Sequence, residues 1–219
     1  MMNKYNPGKQ YLIIAYINEN GVNINDFILA GHSAGAHLAL LYGYKYFQEN
    51  EKRNINVAAC VSLSGPSDYT DDFGWSSMTY YGEDLQERLS TISLIGTKLT
   101  GYDIELTQYN WNQQKNYSEF KEYAEEISPI IYVNRKDKLP PTLLVHGLDD
   151  RIVPYSNSIK LNAALDTTNV PHKLITVIGT GNNHMLGGKS HRTDSVKPIK
   201  YKNQAWINET KDWLELYLQ

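Results

Sequence analysis

Short apolar runs, broken by glycine, proline and polar residues, set the rhythm of this chain. Residues 26–30 (DFILA), 57–63 (VAACVSL), 142–146 (TLLVH) and 173–178 (KLITVI) have the length and β-branched content of buried strands. Between them the apolar positions recur at helical spacing. Leu40, Leu41 and Tyr44 predict a helix over 36–47, and a second is expected over Ser156 to Leu165. Trp206, Trp213, Leu214 and Leu218 mark a C-terminal amphipathic helix, and Tyr11 to Asn20 reads as a helix stopped by Gly21. Alternating strands and helices predict an α/β fold with a doubly wound, mostly parallel sheet. From Pro66 to Leu139 the pattern loosens into an aromatic-rich stretch, within which Asn116 and Glu119 resemble a helix start and YSEFKEYAEEI would be the helix. The expectation is one domain, 1–219, carrying an insertion over about 66–139.

Composition narrows the classes. A chain of 219 residues buries roughly 70% of its unfolded surface. With 41% hydrophobic and 21% charged residues it is neither disordered nor a coiled coil. The net charge is −3 and no basic run stands out, so nucleic acid is excluded as a partner. One cysteine, Cys60, allows neither an internal disulfide nor a cysteine-based zinc cluster, and its place in VAACVSL suits a small buried hydrophobe. No apolar run approaches the roughly 18 residues of a membrane span. Lys4 and Lys9 before YLIIAYI imitate a signal peptide, but NENG follows where small residues would mark a cleavage site. The reading is therefore cytoplasmic, with secretion of a longer parent chain left open.

The chemistry concentrates at Gly31-His32-Ser33-Ala34-Gly35, a G-x-S-x-G lying between an expected strand and an expected helix. A serine at such a junction needs strained backbone angles, and the flanking glycines are expected to relieve the crowding. The helix start adds a positive dipole end and a free N–H at Ala34, suited to an oxyanion. The bland alternative is a small-residue turn that only lets strand and helix pack closely. An unassisted serine is a poor nucleophile, so a histidine and a carboxylate are required. In this architecture the acid and then the histidine follow the serine, each after a later strand. His32, His37 and His146 come too early and His172 precedes its strand, leaving His184 in GTGNNH and His191 in GGKSHR. His184, directly beyond KLITVI, is favoured. After TLLVH either Asp149 or Asp150 could serve as the acid.

The segment His146-Gly147-Leu148-Asp149-Asp150-Arg151-Ile152-Val153-Pro154 resembles the H-G-x-x-D-x-x-V-P segment of α/β-hydrolase esterases, and GHSAGAHL (31–38) is similar to the nucleophile elbow of the esterase/lipase branch, including its feruloyl-esterase-like and arylformamidase-like members. Ser128-Pro129 followed by Pro140-Pro141-Thr142 resembles that branch as well. The likeness runs from about Tyr11 to the C-terminus. It departs at Ala36, where a glycine is usual. The resemblance implies that Asp150 is the acid, that Ser33, His184 and Asp150 form a triad acting on a small-molecule ester, and that no metal or organic cofactor takes part. An amidase, an arylformamidase or a peptidase would use the same groups.

The branch also carries further strands and a His-Gly-Gly type oxyanion loop upstream of the region matched here, so the resemblance implies an N-terminally shortened sheet. A catalytically impaired remnant acting as a binding module is the alternative this raises. With FILA as an edge strand, the 219 residues are expected to be marginally stable or to form a homo-oligomer through residues 27–30. The resemblance makes 66–139 a cap. Its aromatic residues Phe73, Trp75, Tyr80, Tyr81, Tyr102, Tyr109, Trp111, Tyr117, Phe120 and Tyr123 would suit apolar acyl or aryl groups or, for most of them, form the cap's own core.

Overall fold

The computed structural model describes residues 26–70, 117–150, 152–178, 183–186 and 205–217, with isolated positions between 90 and 103. Four strands, β1 (Asp26–His32), β2 (Asn56–Leu63), β3 (Thr142–Gly147) and β4 (His172–Val177), pair in that order, every neighbouring pair parallel. Parallel neighbours need crossovers long enough to return the chain to its starting edge. The crossovers hold α1 (Ala34–Lys45) and α2 (Phe47–Glu51), then α3 (Tyr117–Glu126) and α4 (Pro129–Arg135), then α5 (Ser156–Leu165), while α6 (Ala205–Leu214) follows β4. The sheet is thus the α/β architecture expected from the alternating pattern. Among the described residues β1 pairs on one side only.

Each face of the sheet carries its own core. On one, Leu40, Tyr44, Tyr132, Val133, Leu161 and Leu165 from the crossover helices pack on Val57, Cys60 and Leu144. On the other, Trp206 and Trp213 of α6 cover Ala59, Val61, Leu143, Val145 and Ile175. Burying a side chain such as Leu40 or Leu144 contributes about 1.5–3 kcal/mol, so these layers fix strand order and facing. Strict alternation would put Val57 and Cys60 on opposite faces, yet they share one. The reason is a register shift in which Phe27 pairs with Val57 but Ile28 pairs with Ala59, leaving Ala58 as the extra residue.

The insertion is not uniform. Its last part, α4 and Leu139, belongs to the core beneath the sheet through Tyr132, Val133 and Leu139. Pro129 at the first turn starts that helix without losing a bond. Ser128 Oγ receives the Tyr69 N–H at 2.7 Å and donates to Ala124 O at 2.7 Å, and His37 of α1 donates from Nε2 to Ile127 O at 2.6 Å. These bonds stitch the end of α3 to α1. Burial pushes the His37 pKa down, against the smaller effect of that backbone bond, and so favours the neutral ring. The expected helix over 11–20, and most of the aromatic residues assigned to the cap, lie outside the described residues; Tyr123 is half-buried. No helix among the described residues is long and apolar enough to cross a membrane.

Candidate active site

Ser33 alone separates β1 from α1 and adopts φ 55°, ψ −123°. For a residue with a side chain this backbone costs of order 1–3 kcal/mol, and it persists only where neighbours impose it. Here they do. The Ser33 N–H donates to Leu63 O at 2.9 Å, and Ser33 O accepts from Ala36 N at 3.0 Å and His37 N at 3.1 Å. The turn is tighter than the sequence suggests: the strand runs through His32 and the helix begins at Ala34, two residues earlier than expected.

Gly31 is what allows it, because a Cβ there would lie 2.2 Å from both C and O of Gly35 and 2.6 Å from Ala36 N. Gly35 has no such role. A Cβ at Gly35 meets nothing within 4 Å, so the expectation that both glycines relieve crowding is corrected to Gly31 alone. Ala34 is exposed, and as the first helical residue its N–H has no partner within the helix.

At the end of β3 the two aspartates part company: Asp149 is exposed and Asp150 is buried. Asp150 Oδ1 accepts from Ile152 N at 2.9 Å and Val153 N at 3.0 Å, a local turn that orients the carboxylate. Oδ2 accepts from His184 Nδ1 at 2.8 Å and lies 3.2 Å from His146 Nε2. Burial by itself would raise the Asp150 pKa, but the hydrogen bonds from His146 and His184 and from the Ile152 amide outweigh it. The carboxyl is held well below the usual carboxylate range. An ionised carboxylate only accepts, so His184 carries its hydrogen on Nδ1, and Nε2 of the neutral ring is an acceptor.

His184 sits on a three-residue 3-10 turn, Asn183–Met185. The turn is anchored by the next residue, Leu186, which is buried in the core under α6 and whose carbonyl accepts from Trp206 Nε1 at 3.2 Å. A second anchor comes from the elbow: His32 Nε2 donates to His184 O at 2.7 Å, and the two rings lie 4.8 Å apart. The base candidate is therefore held against the residue that precedes Ser33. Ser33 Oγ itself makes no hydrogen bond with His184. His191 lies outside the described residues.

Two further histidines, His32 and His146, meet the site through contacts that chain order does not reveal. Both precede the acid in chain order, which decides which histidine can be the base but says nothing about which can support it. Among the described residues no group of three or more histidine, cysteine, aspartate or glutamate side chains could hold a metal ion.

The profile of the BD-FAE family matches residues 11–165, a span that includes Ser33 and Asp150. No curated protein matches the sequence. Among solved structures, a truncated form of a carbohydrate esterase from gut microbiota is 18% identical with a TM-score of 0.59, over 94% of this chain and 65% of that one. Carboxyl esterase 2 from the mycorrhizal fungus Tuber melanosporum is 16% identical with a TM-score of 0.56, over 97% and 60%. A lipase/esterase from Lactobacillus plantarum is 16% identical with a TM-score of 0.54, over 95% and 64%. At this identity the likeness shows the fold, and the chain spans 60% to 65% of the length of these three proteins.

Proposed function

Because the chain belongs to the BD-FAE family of α/β-hydrolase esterases, we propose that it cleaves small-molecule carboxylic esters through Ser33, His184 and Asp150. One observation carries the reading: the buried Asp150–His184 pair is tied, through the His32 bond to His184 O, to the residue preceding a serine held at positive φ. Two chain segments 152 residues apart meet there. A turn that served only to pack strand on helix would need none of this.

In the reaction, Ser33 Oγ attacks the ester carbonyl carbon as its proton passes to His184 Nε2. The carbonyl oxygen becomes an oxyanion and takes the Ala34 N–H as a donor. Collapse of the tetrahedral intermediate breaks the bond to the alcohol oxygen, which leaves with the proton from His184. Water then attacks the acyl-serine, with His184 acting again as base and then as acid. Asp150 stays ionised throughout and stabilises the imidazolium that forms twice per cycle. One oxyanion donor is worth about 10²–10³ in turnover, so the Ala34 amide supplies part of the acceleration rather than all of it.

The test is covalent labelling by a fluorophosphonate together with p-nitrophenyl acetate turnover. Ser33→Ala should lose both while melting like the wild type, since only a hydroxyl leaves. Asp150→Asn and His184→Ala should be severe, and Asp149→Asn mild. Equal turnover by wild type and Ser33→Ala would sink the proposal.

A further inference from the structure

Asp150 has four acceptor positions, and the fold addresses all of them: two backbone amides on Oδ1, and two imidazoles on Oδ2. Only one of those imidazoles, His184, has a role so far. The other, His146, is fully buried at the penultimate position of β3. Its Nε2 is 2.8 Å from Val153 O as well as 3.2 Å from Asp150 Oδ2, its Nδ1 is 2.7 Å from Ser158 Oγ on α5, and its ring meets the Tyr155 ring edge-on at 5.8 Å.

The partners fix the proton. A carbonyl can only accept, so Nε2 carries the hydrogen, and Nδ1 of the neutral ring accepts from the Ser158 hydroxyl. The single Nε2–H is then shared between Val153 O and Asp150 Oδ2. Rotation of a carboxylate about its last torsion is soft, and the backbone amides grip only Oδ1. The two oxygens turn together as one plane, so the buried His146 ring, 3.2 Å from Oδ2, adds to the hold that the amides exert on the same torsion through Oδ1.

We propose that His146 is a positioning residue, holding the Asp150 carboxylate in the orientation that presents Oδ2 to His184 Nδ1. This rests on the esterase reading above. A purely architectural role would be to bind β3 to α5 through Ser158, and it predicts a different pattern of loss.

Two substitutions separate the roles. His146→Gln keeps an N–H donor near the place of Nε2, and His146→Leu fills the space without one. Both are made in the wild type and in Asp150→Asn, with melting curves as the folding control. A hydrogen bond to a charged group is worth about 1.5–3 kcal/mol, so His146→Leu should lower kcat for p-nitrophenyl acetate roughly 10- to 100-fold. KM should stay close to the wild-type value, and His146→Gln should recover most of the loss. In Asp150→Asn, His146→Leu should slow fluorophosphonate labelling little further, since the residue it acts through is already disabled. If the leucine variant fails to fold, Ser158→Ala, which removes the Nδ1 partner of His146 and with it the tie from β3 to α5, should lower kcat without raising KM and should slow labelling little further in Asp150→Asn. Wild-type kcat in the leucine variant overturns the proposal, and so does a loss that is undiminished in Asp150→Asn. Full turnover by Ser33→Ala would instead overturn the esterase reading itself.

Discussion

A single methyl group at Gly31 should open the elbow, and the distances say by how much. Its Cβ would lie 2.2 Å from Gly35 C and O, whereas ordinary contact begins near 3.4 Å, so β1 and α1 have to part by more than an ångström. The obstructing atoms are backbone, with no rotamer to escape into. Parting them strains the bonds that hold Ser33, from its N–H to Leu63 O and from Ala36 N and His37 N to its carbonyl. Overpacking costs about 1–3 kcal/mol, and an obstacle of rigid backbone puts Gly31→Ala at the upper end. For a chain of this size 1 kcal/mol moves Tm by about 2–4 °C, which predicts a fall of roughly 4–12 °C. Gly35→Ala is the control. Its methyl meets nothing within 4 Å, and alanine is favoured over glycine in a helix by roughly 0.5–1 kcal/mol, so Tm should hold or rise slightly. Circular dichroism melts of the two variants at one pH and protein concentration decide the matter. Equal shifts for Gly31→Ala and Gly35→Ala, or a Gly31→Ala that melts with the wild type, would refute the steric argument.

Acid stability follows from Asp150. Its folded pKa lies well below the usual carboxylate range, so the carboxylate contributes stability that is fully present above about pH 4 and is lost as pH falls toward the folded value. Asp150→Asn should therefore lower the neutral-pH Tm and flatten the decline below pH 4, and acid limbs parallel to wild type would contradict the assignment. At the contact of α1 with β2, a Cβ on Gly43 would lie 2.3 Å from Cys60 Sγ. Gly43→Ala should cost about 1–3 kcal/mol, and adding Cys60→Ala should return much of it; strictly additive losses in urea melts would show that the sulfur is not the obstacle.

How legible the fold is in the sequence depends on whether an element's determinants are local. β2 and β3 are short, nearly unbroken apolar runs, as buried parallel strands are, and α5 occupies Ser156–Leu165 as its pattern predicts. α4 is hidden because PIIYVNR is rich in β-branched residues. It is helical through its Pro129 start and the packing of Tyr132 and Val133, and the second of these depends on partners far along the chain. The same divide runs through the site. The G-x-S-x-G between strand and helix is a local signal, and Ser33 stands out from it. Asp149 and Asp150 cannot be separated by composition, since which of the two turns inward depends on how β3 ends. His32 and His146 look like stray polar residues in apolar elements until a carbonyl 152 residues away and a carboxylate facing a third histidine give them partners.

The bond from His32 to His184 O also orders events in time. The strands arise in the sequence β1, β2, β3, β4 and take their places in that same order, so a chain emerging from the ribosome can lay down the sheet one strand after another. Among the described residues the strained serine lies in the first strand–helix junction, while the turn that bears His184 follows β4. Closing so long a loop carries an entropy cost that earlier contacts do not share, which makes the His32–His184 closure a late step in assembly. A nascent or partly unfolded chain thus carries the proposed nucleophile without the proposed base. On the proposed mechanism, reactivity at Ser33 then reports that β4 has docked.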